Sequence, residues 1–175
     1  MTALAMPRPA AALTDFDIGP ISRTMIGVAA FAMTALCALA VSRWLAGIAP
    51  AHPHIREVAI ALHLSVVLPA VPLGGYVLLA RKGDARHRML GKLWLVLMVL
   101  TALSAIFVQT SGSLSWIHIF VPTTLLASWR VITTARAGRI AAHKRSVVFL
   151  YVTGLILPGL FTFLPGRLLG AWLLG

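Results

Sequence analysis

The chain has very few acidic residues. Its 175 residues include four carboxylates, Asp15, Asp17, Glu57 and Asp84, against fifteen lysines and arginines. A nucleophile, a base and an orienting group cannot be assembled from so few acids, which argues against a hydrolase. No carboxylate lies inside an apolar stretch, which argues against a small transporter using His63 as a proton relay. Cysteine is scarce as well: Cys37 stands alone, so no disulfide framework forms, and it reads as a small buried apolar side chain. Charged residues of both signs make up only 11%, where soluble domains carry about 25%. A water-soluble globular protein is thereby excluded. The net charge of +11 invites a nucleic-acid reading. The basic residues, however, fall in short clusters between apolar runs, with no groove or aromatic platform, so no nucleic-acid partner is expected.

What the chain does have is apolar length: 59% of its residues are hydrophobic. A bilayer core needs about 20 apolar residues per helix. Five stretches qualify, at 24–41, 58–79, 89–108, 116–135 and 147–164. Open strands would leave edge amides unsatisfied in lipid, so an all-α integral membrane protein is predicted, with about five transmembrane helices. Loop charge sets the expected orientation. Arg81, Lys82, Arg86 and Arg88 share one loop, and Arg136, Arg139, Lys144 and Arg145 another. Both should be cytoplasmic, in a bacterial inner membrane, with the N-terminus inside and the C-terminus periplasmic. Residues 1–20 contain Pro7, Pro9, Asp15 and Asp17 and read as a flexible cytoplasmic tail, unlike a cleavable signal peptide. Residues 21–175 read as one transmembrane domain, in which Gly166 to Gly175, with Trp172, is expected to lie at the outer interface as a short amphipathic segment.

An internal repeat is legible. Ala80-Arg81-Lys82-Gly83 leads to His87-Arg88, and Ala135-Arg136-Ala137-Gly138 leads to His143-Lys144-Arg145. Upstream of each second histidine lies another, His63 before His87 and His118 before His143. Helices two to five are therefore expected to form a four-helix bundle of two repeated hairpins. In that topology His63 and His118 sit near the outer ends of alternate helices, and His87 and His143 near the inner ends. Two imidazoles facing each other across a bundle core can ligate a haem iron from both axial sides. Zinc fits less well, since no cysteine or carboxylate completes a tetrahedral shell. Two b-type haems would then lie within about 25 Å, a height compatible with electron tunnelling. Simpler readings compete: His87 and His143 as solvated interfacial residues, and His118 as an aromatic-belt residue beside Trp116. His63 is harder to dismiss, because an ionisable group inside an apolar run needs a partner or a role. His52 and His54 read as loop residues or a surface metal site.

Lys92 and Arg130 each lie about a turn inside a span, where snorkelling suffices, although pairing with the propionates of an inner haem is the sharper reading. Arg56 would serve an outer haem in the same way. Gly74, Gly91 and Gly154 fall near the histidine faces and could admit a porphyrin edge, or simply allow close helix packing. Pro69, Pro72, Pro122 and Pro158 fall inside spans and predict kinks. A cofactor-free accessory or assembly subunit of a larger membrane complex remains the alternative to an electron carrier. The expected partners are the lipid bilayer, a quinone or other redox partner, a larger membrane complex, or a second copy of the chain in a homodimer.

At His87-Arg88-Met89-Leu90-Gly91 the chain resembles the bacterial membrane family called domain of unknown function 2306, with its HR-x-x-G motif and a second His-basic motif one hairpin later. The resemblance spans roughly residues 58–165 and implies the helical fold without implying an activity. The chain departs from it at Arg145-Ser146-Val147, where a bulky Trp-Met pair is expected. The histidine arrangement is also similar to the cytochrome b561 group of di-haem membrane proteins. That likeness implies an outer haem on His63 and His118, an inner haem on His87 and His143, and oxidoreductase activity.

Overall fold

The computed structural model describes residues 19–51, 57–109 and 113–175. Most of the expected cytoplasmic tail lies outside them, as do His52, His54 and Arg56. Among the described residues the fold is all-helical, with no strand. Helix α1 spans Pro20–Leu45, opening on a proline whose missing N–H costs nothing at that position. Helix α2 spans Val58–Leu79, matching the second expected span, and α3 spans Ala85–Ala105. The start of α3 falls four residues before the apolar run because Asp84 caps it, its side chain accepting the His87 N–H at 2.7 Å. A 3₁₀ turn, Trp116–Ile119, leads into α4, Phe120–Arg136. Helix α5, Ile140–Tyr151, runs through a π-helical turn, Val152–Ile156, into α6, Leu157–Thr162. Pro158 has no N–H to give the carbonyl of Gly154, and the chain widens into a π turn just before it. A final helix, α7, covers Leu168–Leu174.

Four of these are long and apolar enough to cross a membrane: α1, α2, α3 and the rod Ile140–Thr162. The residues of the remaining expected span form α4, which is not among these four: it has 17 residues beyond its 3₁₀ turn and buries Thr124, Ser128 and Thr134. In the most apolar stretch of each long helix, only 22% to 33% of the residues are buried inside the protein. The rest is a wide apolar exterior that lipid must cover, with Phe31 and Met25 among the large side chains exposed on α1. Nothing in this pattern is compatible with a water-facing surface. The chain is a membrane protein.

Helices α2 and α3 form one hairpin and α4 and α5 another; α3 packs on α4, and α5 on α2. This leaves α2 diagonal to α4 and α3 diagonal to α5. Helix α1 flanks the bundle along α2 and the π turn, antiparallel to α2, since Arg23 donates to the Leu79 carbonyl at 3.3 Å. The repeat is visible in the backbone. Gly83 and Gly138 both adopt positive φ, 88° and 66°, so each hairpin turns at a position that strains any side chain. Both turns lie at what is here called the basic end; the opposite end is the far end.

The middle of the bundle is solidly packed. Trp94, Met98, Leu150 and Tyr151 are each at most 1% exposed. Trp94 Nε1 donates to the Ala70 carbonyl and Tyr151 Oη to the Val71 carbonyl, both at 3.1 Å. Such close approach to the α2 backbone depends on Gly74, where an added Cβ would sit 2.5 Å from Trp94 Nε1 and 2.7 Å from the Tyr151 ring. Gly154 is likewise filled, by Met98 and Thr124. The porphyrin reading of Gly74 is therefore corrected, since it seats two rings of neighbouring helices, whereas Gly154, closely approached by Met98 and Thr124, also lines the cavity at the far end. Gly91 alone of the three faces open space.

Candidate functional site

Above that packed middle, at the far end, the helices part around an apolar cavity of about 240 Å³. His63 on α2 and His118 on the 3₁₀ turn before α4 both line it. The structure thus brings together the two histidines that the repeat pairs, from diagonally opposed helices. Leu64, Val67, Leu68, Ala102 and Phe120 supply apolar wall, and among the described residues no carboxylate lines it.

Local hydrogen bonds fix each imidazole. The Ser104 hydroxyl donates to the Thr101 carbonyl at 3.1 Å, so its oxygen is left to accept from His63 Nδ1–H at 3.0 Å. This assigns the proton to Nδ1 and leaves Nε2 of His63 as the bare nitrogen. His118 closes a capping box with Ser115, a role more often taken by Glu or Gln. The Ser115 N–H donates to His118 Nδ1 at 3.0 Å, while the Ser115 carbonyl lies 3.1 Å from the same nitrogen. Ser115 can therefore support either tautomer, including the one that bares Nε2. Thr101 adds a further polar group: its hydroxyl is buried on the cavity wall with no hydrogen-bond partner. Such an orphan costs free energy unless something in the cavity satisfies it.

At the basic end, His87 lies in the first turn of α3 and His143 in the first turn of α5. They are close enough for their charges to interact. His143 Nδ1–H donates to the Val131 carbonyl at 3.1 Å, which again leaves Nε2 as the bare nitrogen. Lys92 and Arg130 are both exposed on helix surfaces near this end. No group of three or more His, Cys, Asp or Glu is gathered among the described residues. Among the described residues, His63 and His118 thus border one cavity, and His87 and His143 lie together at the opposite end.

Two contributors were missed in the sequence. Arg167 borders the mouth of the cavity, and Leu168 and Leu169 of α7 form part of its wall. Trp172, expected at the interface, is only 2% exposed. It stacks on Trp44 with ring centroids 5.0 Å apart and planes 13° apart, and its carbonyl accepts from Arg43 Nε at 2.9 Å. The helix LLGAWLL is apolar on every side, which explains why it packs inward.

No curated protein and no solved structure matches the chain. A family model does, over residues 60–165, a stretch that runs from the first turn of α2 through α6 and contains all four histidines of the two pairs. Since that stretch exceeds half of the 175 residues, the chain belongs to the family of predicted membrane proteins designated domain of unknown function 2306.

Proposed function

We propose that this protein is a b-type haem protein that carries electrons across or within the bacterial cytoplasmic membrane. The single observation that supports it best is the far-end cavity, lined by His63 and His118 from diagonal helices and walled by apolar side chains. The donor set fits the group. Two imidazoles each engage Nδ1 locally, the walls are mostly apolar, and a buried Thr101 hydroxyl lacks a partner in the protein alone. When bound, haem supplies a one-electron couple; the protein supplies the axial nitrogens and the low-dielectric surroundings that tune it. His63 and His118 would hold the far-end haem, and His87 and His143 a second at the basic end. Lys92 and Arg130 are the exposed cations available to the second group. In this reading the basic end is cytoplasmic, α4 is a fifth span, and the C-terminus is periplasmic.

The test is the colour and haem content of the full chain purified in mild detergent from haem-replete cells. Sharp, reducible low-spin bands and a pyridine haemochrome value approaching two per chain are expected. A colourless preparation contradicts the reading and favours a cofactor-free subunit of a larger membrane complex.

A further inference from the structure

We propose that the far-end cavity selects an apolar molecule bearing a carboxylate, and that Arg167, carried to the cavity mouth by the C-terminal helix, is the group that recognises it. This deepens the haem reading, because a porphyrin with propionates is one such molecule. It stands on the cavity itself, however, and a long-chain fatty acid has the same chemistry.

The body of the cavity suits a hydrocarbon or aromatic ligand, with walls such as Leu64, Val67 and Leu68. Among the described residues its lining includes one permanently charged side chain, Arg167, and no carboxylate that would neutralise it. An arginine beside an apolar cavity presents a planar fork of N–H donors that matches a carboxylate with two hydrogen bonds.

Arg167 does not hang on a loose tail. Gly166 reverses the chain at φ +78°, a conformation that favours glycine. Gly170 then packs so closely that an added Cβ would come within 2.8 Å of the Phe163 carbonyl oxygen. Beyond it, the Trp44–Trp172 stack and the Arg43 hydrogen bond to the Trp172 carbonyl fasten α7 to α1. Leu169, 5% exposed, is buried between this clasp and the cavity that it lines. The backbone that carries Arg167 to the cavity is thus fixed by packing on both sides, while its exposed side chain is left to meet a ligand.

The experiment compares two acids with their esters on the full chain in detergent: haemin against its dimethyl ester, and a dansyl-labelled long-chain fatty acid against its methyl ester. Each acid should bind about tenfold more tightly than its ester, the worth of one charge-assisted contact. Arg167→Gln should remove that preference for the fatty acid and reduce it for haemin, which the basic end can also hold, while Arg167→Lys keeps part of it. Trp172→Ala, which unfastens α7, should also reduce the preference. Equal affinities for acid and ester in both pairs, an undiminished preference in Arg167→Gln, or failure to bind either acid overturns the proposal. A preference confined to the fatty acid, with neither haemin form bound, upholds it and contradicts the haem reading instead.

Discussion

Replacing Gly74 with alanine should destabilise the protein far more than the same change at Gly91. At Gly74 the new methyl would lie 2.5 Å from Trp94 Nε1 and 2.7–2.8 Å from two carbons of the Tyr151 ring, whereas nothing lies within 4 Å of a Cβ at Gly91. Both rings are 1% exposed and each holds a carbonyl of α2 at 3.1 Å, so neither can retreat without giving up a buried hydrogen bond. Overpacking costs about 1–3 kcal/mol, and an unsatisfied buried donor costs about 1–3 kcal/mol more. Alanine returns up to ~1 kcal/mol of helix propensity. The net loss expected for Gly74→Ala is therefore about 1–5 kcal/mol, and Gly91→Ala should be neutral or slightly stabilising. Reversible SDS titration of detergent-solubilised protein, followed by circular dichroism, reads the difference. Trp94→Phe, which removes the indole nitrogen, should make the Gly74→Ala cost smaller than it is alone. Equal behaviour of the two alanine variants would refute the assignment of Gly74 as the seat of Trp94 and Tyr151.

Two further predictions follow from the fold and the cavity. A reporter fused after Gly83 or Gly138 should read cytoplasmic, and one after Gly112, which lies outside the described residues, should read periplasmic; Gly83 and Gly112 on one side would sink the alternating topology. Thr101→Val removes a buried hydroxyl that has no partner, so the ligand-free protein should gain about 1 kcal/mol in the same SDS titration. A loss there would mean that the hydroxyl is already satisfied.

The helices were legible because lipid leaves the backbone few choices. The run 58–79 became α2 residue for residue. Ends were less legible where capping decides: Asp84 starts α3 at Ala85, inside what reads as a basic loop. The two hairpin turns were visible through Gly83 and Gly138, whose positive φ values repeat. That His63 and His118 lie toward the same end was also visible, because it depends only on helix direction and offset. Arg167 was not. It reaches the cavity through contacts between Trp172 and Arg43, 129 residues apart in the chain, and no local pattern encodes a contact at that distance. Glycine was misleading for a related reason. A gap on a helix face looks the same in sequence whether a cofactor or a neighbouring ring fills it, and at Gly74 two rings do.

The proposed haem sites assign one iron to His63 and His118 and another to His87 and His143. The reduced-minus-oxidised spectrum of His63→Ala, His118→Ala and their double variant tests this assignment. Each single replacement should remove the same haem component, the double should remove no more, and the component held by His87 and His143 should keep its spectrum. An unchanged spectrum in all three variants, or coupling of His63 to His87 in place of His118, would contradict it.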